Sequence, residues 1–187
     1  MTPPADPIAV ALQVVHAIEA LGIVCTVGGS IAASFAGEPR ATIDIDIVVA
    51  LDLDRVQDIV AALGDEFYLD EHALERAVRQ RSSTNLIHHE TQLKVDLFVA
   101  GGSPLDAQQL ARRLPVSVGG GVLPIHPPED ILLQKLRWFR VGGEVSDRQW
   151  RDVLAIVRVQ GAHLDTDYLR EHAPTLGVED LLIRLLA

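Results

Sequence analysis

Apolar residues recur along this chain at two periods, one helical and one of strand type. Ile8, Leu12, Val15 and Ile18 step at helical spacing. Asp6-Pro7 before them supplies a cap and a proline fit for the first turn, and Gly22 supplies a stop. Ile23 to Val27 is a short apolar run that predicts a strand. Gly28-Gly29-Ser30 is then a tight turn into a short helix through Ala32, Ala33 and Phe35, and Gly37-Glu38-Pro39-Arg40 is a loop. Residues 42–50 read as a strand. Asp52 or Asp54 can cap a helix running to Leu63 before Gly64, and residues 70–80 predict another helix. Ser83 to His88 and Gln92 to Val99 form two strands around a turn at His89-Glu90.

Beyond them, Ser103-Pro104 opens a helix that ends near Arg113. Val116 to Ile125, broken by Gly119-Gly120-Gly121, is a strand or a loose hairpin. From Pro127 onward the pattern is helical throughout. One helix starts at Pro128 and carries Ile131, Leu132, Lys135, Leu136 and Phe139, with Gly142-Gly143 ending it. Ser146 with Gln149 matches a capping box for the next, and two short helices follow over 165–173 and 178–186. The expected architecture is α/β (α+β): a small mixed sheet flanked by helices over residues 1–126, with a C-terminal helical portion, 127–187, packed on that core.

Composition changes this picture little. The 187 residues are 48% hydrophobic and 22% charged, enough to bury a core without staples. Cys25, the single cysteine, excludes an internal disulfide framework and fits a reducing compartment. Residues 1–7 lack the basic and apolar regions of a signal peptide, and no long apolar stretch suggests a membrane span, so the expected location is the cytoplasm. Charge adds more. Residues 1–75 hold 13 acidic side chains against Arg40 and Arg55 alone, while residues 76–187 carry 14 basic and 13 acidic ones. Such a field repels bulk nucleic acid and attracts divalent cations. A negative surface that merely aids solubility is the plainer explanation.

Three features carry chemistry. Asp44 and Asp46 share one face of the strand predicted over residues 42–50, with Ile43, Ile45 and Ile47 on the other. Their Cα atoms stand roughly 7 Å apart at that spacing, which lets the carboxylates converge on one cation or bridge two. Mg²⁺ would offset their repulsion. A solvated acidic face on an edge strand fits the same residues. Gly28-Gly29-Ser30 between strand and helix can admit a phosphate to free backbone N–H groups, with the Ser30 hydroxyl as a further donor. An ordinary turn capped by Ser30 fits as well, and the Walker pattern is absent. Asp96 lies in the strand of residues 92–99, on one face with Lys94 and Phe98, opposite Leu93, Val95, Leu97 and Val99. By itself Asp96 is equally a solvated charge.

In combination, Val27-Gly28-Gly29-Ser30, 13 intervening residues, Asp44-Ile45-Asp46 and the later Asp96 resemble the nucleotidyltransferase superfamily that includes polymerase β. The Arg40-x-Thr42-x-Asp44-x-Asp46 string looks like its minimal bacterial, AbiEii-type members. Residues 127–136 and 146–153 resemble the two helices that follow their core. The resemblance covers residues 20–160 and implies the nucleotidyltransferase fold. It implies an enzyme that transfers a nucleoside monophosphate from an NTP such as ATP to an acceptor hydroxyl. Asp44, Asp46 and Asp96 would bind Mg²⁺ or Mn²⁺, and Asp96 would help deprotonate the acceptor. Gly28, Gly29 and Ser30 would hold phosphates, Lys135 would reach them from the helical portion, and Asp152 would support the nucleotide or acceptor. Many relatives have an acid where Gln149 stands, a departure that bears on Asp152. Arg40 and Thr42 are expected to support the loop.

The resemblance leaves the acceptor open among a small molecule, a protein and a tRNA end, and a toxin–antitoxin partner is implied by some relatives. A non-catalytic module that binds nucleotide or a partner is the alternative, which the retention of all three aspartates disfavours. His88 and His89 point to opposite strand faces and cannot share a metal. Cys25, Trp138 and Trp150 are expected to be packing residues.

Overall fold

A computed structural model of the chain describes residues 6–39 and 41–187. Its described residues fall into two compact units, one within Met1–Ile31 and Thr42–Ile125, the other within Ala32–Ala41 and His126–Ala187.

The first unit is built on a mixed sheet. Its strands are β1 (Cys25–Val27), β2 (Ile45–Val49), β3 (Phe67–Tyr68), β4 (Ser83–His88), β5 (Lys94–Val99), β6 (Leu114–Val118) and β7 (Gly121–Ile125). Their spatial order is β3-β4-β5-β2-β1-β7-β6. The pairs β2–β5 and β1–β7 are parallel and the remaining pairs antiparallel. Alternation along β2 and β5 buries Ile45, Ile47, Val95 and Leu97 completely and leaves the opposite face half-exposed. Helices α1 (Pro7–Ala20), α3 (Val56–Leu63) and α4 (Glu71–Gln80) pack on one another, and α1 and α4 on strands. Asp6 caps α1 by accepting the Ile8 N–H at 2.9 Å, as the Asp-Pro start predicts. Helix α2 (Gly29–Ala36) follows β1 directly, and α5 (Pro104–Ala111) carries a full capping box from Ser103 and Asp106. The glycine-rich run resolves into a hairpin, with Gly119 and Gly120 (φ +106°) as the two-residue turn between β6 and β7.

The second unit consists of α6 (Pro128–Val141), α7 (Asp147–Gln160), α8 (Thr166–His172) and α9 (Glu179–Leu186), with residues 32–41. Leu132, Leu136, Val153, Ile156, Leu169 and Leu182 form its core. Buried Asp130 accepts the Tyr168 hydroxyl at 2.6 Å, and Glu129 accepts the Asp165 N–H at 3.0 Å. The segment before Arg40 is tied to α7: Gln160 donates to the Ala36 carbonyl at 2.6 Å and Arg158 pairs with Glu38 at 2.7 Å. Sequence pattern cannot reveal this grouping, because 120 positions separate Glu38 from Arg158. Among the described residues, no helix is long and apolar enough to cross a membrane.

Three expectations differ from the structure. The strand expected over residues 42–50 is paired only from Ile45 to Val49, although β5 extends one residue further, to Lys94, beside Asp44. Ile43 is accordingly 71% exposed, whereas Ile45 and Ile47 are fully buried. Trp138 is 52% exposed rather than buried; Trp150 packs 5.3 Å from the Phe139 ring and 4.4 Å from the Arg184 guanidinium carbon. The two-residue β3 was not anticipated, being too short to show a period.

Candidate functional site

The half-exposed face of β2 and β5 brings the acidic residues into register. Asp46 and Asp96 are direct partners across the parallel pair, so their Cα atoms stand about 4.8 Å apart. Asp44 lies one residue before β2, on an exposed stretch where the Thr42 hydroxyl accepts its backbone N–H at 3.2 Å. Asp44 is therefore placed by a loop, where the pattern had put it on the strand. Thr42 supports that loop as expected, and Arg40 lies outside the described residues.

The glycine turn meets the same strand. The Gly28 N–H donates to the Asp46 carbonyl at 2.9 Å. Gly29 opens α2 at φ +54°, and a Cβ on it would stand 1.7 Å from Asp46 Oδ2. Only glycine allows this approach, since both the backbone angle and the space exclude a side chain. The Asp46 carboxylate thus lies against the first turn of α2, at the positive end of the helix. Ser30, the second residue of that turn, is buried.

Lys94 completes the cluster. It precedes Asp96 by two positions, shares its strand face, and its ammonium lies 2.8 Å from Asp96 Oδ2. This hydrogen bond raises the lysine pKa most; burial opposes it, and the charges of Asp96, Asp44 and Asp46 add to the rise. All three aspartates therefore act on one ammonium. Alternation had placed Lys94 on the Asp96 face without giving it a role; its position two residues away was the available signal.

An all-oxygen set of carboxylates suits Mg²⁺ or Mn²⁺, and the missing side chain at Gly29 lets the Asp46 carboxylate sit at the helix start. The residues fit such an ion chemically. Among the described residues, no three His, Cys, Asp or Glu side chains are already gathered closely enough to hold one, and Asp96 is engaged by Lys94.

Lys135 and Asp152 form a separate group within the helical unit. The Lys135 ammonium lies 2.7 Å from Asp152 Oδ2 and 3.3 Å from Gln149 Oε1, with 7% and 14% of the two charged side chains exposed. Gln149 thus helps hold a lysine instead of closing the expected capping box, of which only its N–H bond to Ser146 is present. Its role was missed because the capping pattern claims the same residue. Cys25 is fully buried, and burial pushes its thiol up to about 12, which makes it inert. His88, the last residue of β4, is buried against Thr91, and His89 is exposed in the turn that follows.

This architecture, with the glycine turn against the aspartate-bearing strand, is a nucleotidyltransferase fold. The chain is similar to the crystal structure of an antigenic nucleotidyltransferase-like protein from Paracoccidioides brasiliensis. The two are 17% identical with a TM-score of 0.55, over 91% of this chain and 89% of that one. It is also similar to the antibiotic-resistance factor ANT(2'')-Ia in complex with adenylyl-2''-tobramycin, at 10% identity and a TM-score of 0.54, over 89% and 96% of the chains. The lincomycin-bound lincosamide antibiotic adenylyltransferase LnuA gives 13% identity and a TM-score of 0.52, over 79% and 94%. At these identities the likeness is one of fold. No family model matches the chain, and no curated protein matches it in sequence.

Proposed function

We propose that this protein is a metal-dependent nucleotidyltransferase, moving a nucleoside monophosphate from an NTP to an acceptor hydroxyl with release of pyrophosphate. One observation carries the reading: Asp46 and Asp96 are register partners, and the Asp46 carboxylate lies against the glycine that opens α2. Carboxylate and helix start together suit a phosphate chain carrying a cation. Asp44, Asp46 and Asp96 would hold Mg²⁺ or Mn²⁺, which when bound stabilises charge on the attacking and leaving oxygens. Gly28, Gly29 and Ser30 offer N–H and hydroxyl donors to the phosphates. Asp96 accepts the proton of the acceptor hydroxyl. The motif resemblance would add Lys135 for the phosphates, with Asp152 supporting it. The lone buried Cys25 supports a cytoplasmic setting.

A small-molecule hydroxyl is the favoured acceptor, supported by two similar structures, one holding an adenylylated aminoglycoside and one a lincosamide. A protein or tRNA acceptor, with a toxin–antitoxin partner, rests only on the AbiEii-like motif string, and bulk nucleic-acid binding is disfavoured by the net charge of -10. The test is calorimetric titration with each Mg·NTP, followed by pyrophosphate release with a panel of hydroxylated antibiotics. The wild type should bind an NTP only with Mg²⁺, and Asp44→Asn/Asp46→Asn should abolish binding and turnover. A folded wild type that binds no NTP sinks the enzyme reading. Binding without turnover, unaffected by the double substitution, assigns a non-catalytic module.

A further inference from the structure

Of its 16 basic residues, this chain has 14 arginines and only two lysines, Lys94 and Lys135. Each lysine lies on an aspartate given a role above, at 2.8 Å and 2.7 Å. The preference for arginine elsewhere makes these two positions informative. A guanidinium grips a carboxylate through a two-pronged planar contact, whereas an ammonium is a compact, strongly hydrated point charge that is easier to exchange for another cation.

At Lys94 the exchange has a clear geometry. The ammonium bonds Oδ2 of Asp96, the carboxylate facing Asp46 across β2 and β5. Asp46 is the register partner of Asp96, so the ammonium lies on the strand face where a divalent ion would be bound. The Lys94 side chain is 47% exposed, which leaves it room to turn into solvent. A carboxylate oxygen held at hydrogen-bond distance by an ammonium is not free to ligate a metal without losing that bond. The structural role of Arg81 differs. Its guanidinium donates to the Leu51 and Ala100 carbonyls beyond the far ends of β2 and β5, and contacts no proposed ligand among the bonds described.

We propose that Lys94 is an internal counter-ion that competes with a divalent cation for Asp96, so that binding of the metal releases the ammonium. The inference rests on the metal-dependent reading of the site. It predicts that the lysine weakens metal affinity, the opposite of what a supporting residue does.

The test titrates Mn²⁺ into the full chain by calorimetry, comparing wild type, Lys94→Met, Lys94→Arg and Asp44→Asn/Asp46→Asn. Lys94→Met should bind Mn²⁺ roughly tenfold more tightly, the scale of one lost charge competition of about 1.4 kcal/mol. Lys94→Arg should bind no more tightly than wild type. In a second measurement on wild type, Mg²⁺ should speed acylation of Lys94, mapped by mass spectrometry, with Lys135 as internal reference. Unchanged or weaker Mn²⁺ binding in Lys94→Met, with binding still lost in the double aspartate variant, overturns the Lys94 inference alone. Wild type that binds no Mn²⁺, or binding that survives the double aspartate substitution, overturns the metal reading and this inference with it. Circular dichroism of each variant confirms that folded protein is compared.

Discussion

The protein holds two lysine–aspartate clusters, and they are built differently. On the face of β2 and β5, three aspartates surround one lysine, and the Lys94–Asp96 pair is 47% and 21% exposed. Between α6 and α7, one lysine meets one aspartate and one glutamine, with 7% and 14% of the charged side chains exposed. The first cluster carries excess negative charge at a surface that solvent and ligands can reach. The second holds its lysine–aspartate pair where water is scarce. Excess charge of one sign, kept at a helix start, is what a site for an added cation requires. A matched buried pair fixes the packing of two helices, and removing one partner leaves the other charge stranded. Substitutions in the two clusters should therefore fail in different ways.

The largest effect is expected at Gly29. In Gly29→Ala the new Cβ meets Asp46 Oδ2 at 1.7 Å, so either the carboxylate or the turn must shift. Nucleotidyl transfer should fall by about 10³-fold, since a misplacement near 1 Å alone costs on the order of 10²-fold. Steady-state kinetics and Mg·NTP calorimetry of the variant check this. Wild-type activity would show that Asp46 is not in the reacting centre.

Next comes Asp152→Ala, which leaves Lys135 buried with Gln149 as its remaining described contact in this pair. Urea unfolding should show a loss of about 3 kcal/mol. Asp46→Asn, by contrast, should abolish transfer while holding or raising stability, because it relieves repulsion on the sheet face. If Asp152→Ala unfolds no more readily than wild type, the contrast between the clusters is lost.

The smallest effect concerns His126, at the start of the helical unit. Burial depresses its pKa from 6.5 to about 4, and its Nδ1 has no hydrogen-bond partner. As pH falls from 6.5 towards 4, the unfolded chain takes up a proton that the folded chain refuses, so stability falls. The loss grows through that window and levels off below pH 4. His126→Leu should flatten that slope in thermal melts between pH 7 and pH 4. An unchanged slope would assign the acid sensitivity to other groups.

Sequence by itself determined most element positions. Asp6-Pro7, Ser103-Pro104 and Asp70 mark helix starts that the structure keeps, because a cap acts through bonds within three residues. Alternation through Val95, Leu97 and Val99 likewise predicted the buried face of β5, because the pleat fixes it locally. The order of Gly28-Gly29-Ser30, Asp46 and Asp96 was legible in the same way. Tertiary structure alone decided the rest. It set where the ladder at β2 begins, and so left Asp44 on a loop and Ile43 exposed, because pairing is made with strands distant in the chain. It also brought Gly29 against Asp46 and drew Gln149 to Lys135. Contacts between residues far apart in the chain leave no period and no local spacing, so only the folded molecule reveals them.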